Sequence, residues 1–172
     1  MTHWPRRLRH EANALSAIAT GTILPIKIPC VPATMPGFTV TSPGAYGRQQ
    51  LDRYKYSQVL DLGDRVEISG QGGWNPESLD YPAGTSLQQE ISYAFDNVAT
   101  MLTSVGVNWA HVGHVNSYHK VDADGQITGA LDEMVRQFGL RFENHKPIWT
   151  CLGVAALGDP GMRVEIRVTA YR

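Results

Sequence analysis

The strongest constraint on this chain lies near its C-terminal end, where Pro147-Ile-Trp-Thr-Cys-Leu-Gly-Val-Ala-Ala-Leu157 is followed by Arg163-Val-Glu-Ile-Arg-Val-Thr-Ala-Tyr171. The first stretch is an almost unbroken apolar run, and the second alternates with the period of two that belongs to strands. Gly158-Asp-Pro-Gly161 supplies turn residues between them, so the pair reads as two successive strands. Neighbouring strand residues point to opposite faces. Trp149, Cys151 and Gly153 therefore share one face of the first strand. On the second, Val164, Ile166, Val168 and Ala170 face inward while Arg163, Glu165, Arg167 and Thr169 face out. On this reading an indole, a thiol and a carboxylate converge at one surface, which is the candidate site.

A chain of 172 residues is long enough to bury one main core without disulfides or a structural metal. Fifteen Lys and Arg stand against 16 Asp and Glu, a net charge of -1, and no long basic stripe occurs outside the first ten residues. That balance argues against nucleic-acid binding by phosphate neutralisation. No apolar run reaches the roughly 18 residues that span a bilayer, so neither nucleic acid nor membrane is expected as a partner. Cys30 and Cys151 are too few and too far apart for a disulfide framework, which points to free thiols in a reducing, cytoplasmic setting. Residues 1–34 differ from the rest. Arg6, Arg7, Arg9, His3 and His10 meet only Glu11 as an acid before Ala19, and Pro25, Pro29 and Pro32 follow. A poorly ordered extension and a mitochondrial leader both fit this pattern. The folded domain is read over 35–172.

Within that domain Phe38-Thr-Val-Thr41 alternates as a short strand, and Ser42-Pro-Gly-Ala-Tyr-Gly47 reads as a turn before a polar linker. Tyr56 to Leu62 and Arg65 to Ser69 flank Gly63-Asp64, a connection of hairpin type. Gly70-Gln-Gly-Gly-Trp-Asn-Pro76 follows as a loop whose glycines permit close backbone approach to a ligand or a partner. Ser86 and Gln89 have capping-box spacing, and Leu87, Ile91, Phe95, Val98, Leu102 and Val105 recur three to four apart up to the stop at Gly106, predicting an amphipathic helix. Val112 to His119 reads as a strand, and Thr128 to Phe138 as a second helix ended by Gly139. His111 and His119 alternate opposite His114 with no carboxylate or thiol to complete a ligand set, and Asp122-Ala-Asp-Gly125 lacks the EF-hand spacing, so no metal site is expected. Strands with two helices collected on one face make an α+β pattern. The other face then needs cover from further copies in a closed homo-oligomer.

The sequence resembles the RidA/YjgF family, also called the reactive intermediate deaminase or L-PSP endoribonuclease family. The resemblance is carried by Tyr56-Ser-Gln, Val66-Glu-Ile-Ser-Gly-Gln71, Asn75-Pro76, Ala94-Phe-Asp-Asn-Val98, Pro147 with Cys151, Val154, Ala155 and Leu157, and Val164-Glu-Ile166 before Ala170, and it spans about residues 54–172. It implies a chorismate-mutase-like mixed sheet with two helices on one face, assembled as a trimeric barrel whose small-molecule clefts lie between subunits. No cofactor is implied. Tyr56, Ser69, Gly70 and Cys151 match pocket positions, and Glu165 matches the residue placed to activate water. The family's arginine, which clamps a 2-imino acid carboxylate, is replaced here by Trp149.

Two functional readings follow. In one, the pocket hydrolyses or isomerises a small reactive enamine or imine without a carboxylate, with Glu165 and Cys151 as catalytic candidates and Trp149, Tyr56, Ser69 and Gly70 binding substrate. In the other, catalysis is lost, Trp149 plugs the cleft, and a homotrimeric module binds small molecules or has a regulatory role. Ribonuclease action draws little support from a neutral chain without a basic groove.

Overall fold

The computed structural model describes residues 33–172, so the readings of the segment before Ala33 lie outside the described residues. Seven strands and three α-helices follow in the order β1 (Ala33–Met35), β2 (Phe38–Thr41), α1 (Gly44–Tyr54), β3 (Val59–Asp61), β4 (Arg65–Gly72), α2 (Leu87–Thr103), β5 (Val112–Lys120), α3 (Ala130–Arg141), β6 (Ile148–Val154) and β7 (Val164–Tyr171). A 3-10 turn at Trp109–His111 precedes β5.

The strands form one mixed sheet in the order β1-β2-β3-β4-β7-β5-β6. β7 lies at its centre, antiparallel to both β4 and β5, while β5 and β6 run parallel. The hydrophobic alternation of β7 explains its position, because Val164, Ile166, Val168 and Ala170 are all fully buried. They meet Val66 and Ile68 of β4 and the apolar stripe of α2, including Ile91, Phe95 and Leu102, in a single core. Each of the valine, isoleucine, leucine and phenylalanine side chains contributes about 1.5–3 kcal/mol by leaving water. The start of α2 is set by Ser86, whose hydroxyl accepts a hydrogen bond from the Gln89 amide at 3.1 Å.

Two expectations are corrected. The described residues hold three α-helices, because Gly44–Tyr54, read as a turn and a polar linker, is helical. The sheet is open, with β1 and β6 at opposite edges, so it does not close into a barrel. In addition, β6 and β7 are not neighbours, because β5 lies between them. The physical reason is that α3 carries the chain from β5 over to a parallel β6, a crossover connection, and residues 155–163 then pass beyond β5 to reach the central strand. On β6 at the open edge, Ile148 and Leu152 remain 68% and 48% exposed.

Candidate functional site

The main cleft has a volume of about 520 Å³ and is built from four segments. Tyr46, Gln50 and Arg53 come from α1, Gly70 and Gly72 from β4, Tyr81 from the loop before α2, and Asp159 and Met162 from the loop leading to Glu165 of β7. Its floor depends on an irregularity in β4. Ile68 pairs with Val168 but Gln71 pairs with Ile166, so the register slips by one residue across Ser69 and Gly70. The slip is held by Gln71, whose amide donates to Gln58 Oε1 at 2.8 Å and to the Ser69 carbonyl at 3.1 Å, and by the Ser69 hydroxyl, which donates to Gln58 Oε1 at 3.1 Å.

The glycines of this stretch serve the chain's own side chains. A Cβ on Gly70 would stand 1.7 Å from Glu165 Oε1, and one on Gly72 would stand 2.4 Å from the Tyr81 hydroxyl. Gly70 thus leaves room for the Glu165 carboxylate against β4, and Gly72 leaves room for Tyr81. Burial raises the Glu165 carboxyl above the ordinary carboxylate range. A carboxylate so placed is a stronger proton acceptor than one in water, and it faces a cavity large enough for a small molecule.

The cleft walls are braced from behind. Glu90 accepts from the Arg163 amide at 2.7 Å and from its guanidinium at 2.5 Å, while Asn97 donates to the carbonyls of Gly72 and Trp74 at 2.9 and 3.0 Å. Trp74 is buried and stacks on Tyr46 with ring centroids 3.5 Å apart, which ties α1 to the end of β4.

Of the residues singled out from sequence, the structure brings Glu165, Gly70 and Tyr56 to this cleft. Ser69 lies beside it and is occupied by Gln58. Trp149 and Cys151 are elsewhere, and the expected convergence of indole, thiol and carboxylate within one chain does not occur. Ser117 of β5 pairs with both Cys151 and Ile166, which puts Cys151 on the helix-facing side of the sheet and Glu165 on the other. Trp149 shares the side of Cys151, and its ring meets Phe138 of α3 edge-on at 5.0 Å. The sequence reading missed the α1 residues and Asp159. Helix formers in Arg48-Gln-Gln-Leu-Asp-Arg53 were a usable signal for the former.

Behind Trp149 runs a buried polar relay. Its Nε1–H donates to Ser117 Oγ at 2.9 Å, and Oγ lies 3.0 Å from His119 Nε2. The hydroxyl has two acceptor lone pairs besides its own proton, so it pairs with Nε2 in either tautomer of a neutral His119, whose Nδ1 is buried with no hydrogen-bond partner among the described residues. Burial lowers the His119 pKa from its ordinary 6.5 to about 4. Between those values the unfolded chain binds the extra proton, so stability contributed by neutral His119 is lost as pH falls. The loss is expected to be on the order of 3 kcal/mol over this range. Denaturant titrations of wild type and His119→Gln between those pH values isolate it by difference, and an identical pH slope in the two proteins would contradict the assignment.

The described residues thus form an open α+β sheet with a carboxylate seated in a glycine-floored cleft. The comparisons give the family. The endoribonuclease L-PSP family model matches residues 48–172, and the chain belongs to this family, the RidA/YjgF family. It is similar to the RutC family protein YjgH of Escherichia coli K12, 30% identical over 125 residues, covering 72% of this chain and 88% of YjgH. The 2-iminobutanoate/2-iminopropanoate deaminase of Dermatophagoides farinae is 29% identical over 111 residues, covering 64% and 80% of the two chains. Among solved structures, RidA from the Antarctic bacterium Psychrobacter sp. PAMC 21119 superposes with a TM-score of 0.57 at 26% identity, covering 68% of this chain and 88% of that one.

Proposed function

We propose that this protein hydrolyses or isomerises a small reactive imine or enamine other than the usual 2-imino acids, in the cleft that holds Glu165. The observation that carries the reading is the seating of the Glu165 carboxylate against Gly70, where a side chain on β4 would displace it. Family membership supports deaminase or isomerase chemistry on reactive imines and enamines and singles out no substrate.

In the hydrolytic form, an enamine first takes a proton on carbon to become the iminium. Ionised Glu165 accepts a proton from water as the water oxygen adds to the C=N carbon, and the pair of electrons of the C=N bond moves to nitrogen. The proton on Glu165 then passes to the amine. As the C–N bond breaks, the ionised Glu165 takes the proton of the carbinolamine hydroxyl and the oxygen lone pair forms the carbonyl. That proton passes to the departing ammonia, so that ammonium and a carbonyl compound leave. Atoms and charge balance as iminium plus water giving carbonyl plus ammonium, with Glu165 regenerated. Tyr56 lines the same cleft. The departure from 2-imino acids follows from Trp149, which replaces the family's carboxylate clamp and spends its N–H on Ser117.

The reading includes a homotrimer with ligand bound between subunits. Its support is the sheet face opposite α2 and the exposed Ile148 and Leu152 on edge strand β6. In such an assembly the side chains that β6 leaves exposed in one copy, Ile148 and Leu152, are covered by the next. Sedimentation equilibrium should return three times the 18.9 kDa chain mass, and a monomer at micromolar concentration would contradict it.

The activity is tested by competition with semicarbazide, which traps free imines. Imines with and without a carboxylate are released by flavin oxidases, and wild type is expected to divert flux from semicarbazone to carbonyl product while Glu165→Gln does not. Inertness of wild type on every imine would overturn the reading in favour of a binding module.

A further inference from the structure

The charged groups lining the cleft are unequal. Asp80, Asp159 and Glu165 face a single cation, Arg53. Arg53 is exposed at the rim, lies 4.9 Å over the Tyr54 ring, and makes no ion pair among the described residues. The nearby arginines of β7 and its approach are spent elsewhere: Arg163 on Glu90 at 2.5 Å, and Arg167 on Glu67 at 2.8 Å. Trp149 brings no charge. The partners of Asp159 and Asp80 are uncharged. Asp159 Oδ1 accepts only the Gly161 amide at 2.8 Å, and Asp80 accepts from the Ser78 hydroxyl at 2.5 Å, neither of which neutralises a carboxylate.

From this geometry we propose that the cleft selects a cationic ligand, an iminium or ammonium with an apolar or aromatic body and no anionic group, and that Asp159 is the residue that sets the preference. The proposal rests on the hydrolase reading for its catalytic meaning and on the cleft alone for its binding meaning. Two further features agree with it. Tyr46, Tyr54, Tyr56 and Tyr81 line the walls, and aromatic ring faces attract cations. The Tyr46 and Tyr81 hydroxyls are held well above the ordinary tyrosine range, by burial first, then by a neighbouring tyrosine and by nearby acids that include Asp159 and Glu165. Chemically, carboxylates lining a cleft raise the proton affinity of a bound imine and favour the iminium, the form that water attacks. A carboxylate on the substrate would be repelled by the acids that favour the iminium.

The test uses two matched pairs. Binding is measured by titration calorimetry with phenethylammonium and 3-phenylpropanoate, which differ in the sign of one terminal group, on wild type, Asp159→Asn and Asp159→Lys. Asn retains the carbonyl oxygen that accepts from Gly161, so the turn keeps its hydrogen bond. The ammonium is expected to bind wild type about tenfold or more tighter than the carboxylate, with the ratio falling about fivefold in Asp159→Asn and inverting in Asp159→Lys. Equal or tighter binding of the carboxylate, a ratio unmoved by Asp159→Lys, or no binding of either ligand overturns the proposal. Turnover is compared on the imines released from phenethylamine and from phenylalanine, which differ only by a carboxylate. Cation-selective binding without turnover of either imine would remove the hydrolase reading and leave the cation site. Turnover of both imines with charge-indifferent binding would remove the cation site and leave the hydrolase.

Discussion

Alanine at position 70 is expected to lower imine hydrolysis at least about 100-fold while leaving the chain folded, since a misplacement of about 1 Å in a catalytic group can cost that much. The Cβ that alanine introduces would stand 1.7 Å from Glu165 Oε1, 2.6 Å from Cδ and 2.8 Å from Cγ, so the whole carboxylate must leave its position. What gives way is the end of a flexible side chain, which makes the structural cost small and the chemical cost large. Gly73 is the informative contrast. Its Cβ would meet the Glu90 carbonyl oxygen at 2.1 Å and carbon at 2.7 Å, both backbone of α2, so glycine there permits the packing of helix on strand. Measurement of kcat together with the thermal midpoint checks the assignment of Gly70. Full activity with alanine at this position would show that the present seat of Glu165 is not the catalytic one.

Glu165→Gln is expected to reduce turnover by about 10²- to 10⁴-fold, the usual contribution of a positioned general base. It should also change stability in the opposite sense. Because burial raises the folded-state pKa of Glu165 above its unfolded value, the folded chain holds the proton longer as pH rises. The stability this confers is present below the unfolded pKa and is lost as pH climbs through the folded one. Glutamine removes that loss, so the variant should gain in melting temperature relative to wild type as pH rises through this window. A site that trades stability for reactivity in this way is common in enzymes. Thermal melts of the two proteins on either side of the window provide the check, and parallel pH dependences would contradict the origin assigned to the shift.

Strict alternation made β7 readable from sequence, since Val164, Ile166, Val168 and Ala170 announce a strand whose one face is fully buried. The long amphipathic α2 and its Ser86 cap were legible for the same reason: local periodicity and capping chemistry are written in neighbouring residues. Strand order was not. Reading β6 and β7 as successive strands joined at Gly158–Gly161 says nothing of pairing, and the neighbour of both is β5, brought in by a crossover that leaves no local trace. One consequence ran through the site. Placing Trp149 and Glu165 on a common surface depended on register, and through β5 Trp149 comes level with Val168, which puts it on the face opposite Glu165.

Helix α1 was hidden for a different reason. It is polar and contains Gly47, whose Cβ would fall 2.8 Å from the Ser42 carbonyl carbon, so close packing needs a residue that usually argues against a helix. Its contribution to the cleft could not be inferred from hydrophobic pattern. Alternation put Glu165 on the outward face of its strand and the glycine run marked Gly70 as a place of close approach, the family resemblance gave both a pocket role, and the structure adds the relation between them. That relation connects sequence to chemistry more tightly than either residue does alone.

The most direct measurement is the pH–rate profile of imine hydrolysis for wild type and Glu165→Gln, taken between about pH 4 and 8 where a raised carboxyl titrates. The account predicts that the wild-type rate falls on the acid side with a midpoint above the ordinary carboxylate range, and that the variant's residual rate lacks this limb. A wild-type rate flat across the range, or a variant that keeps the same limb and a comparable rate, would contradict Glu165 as the base.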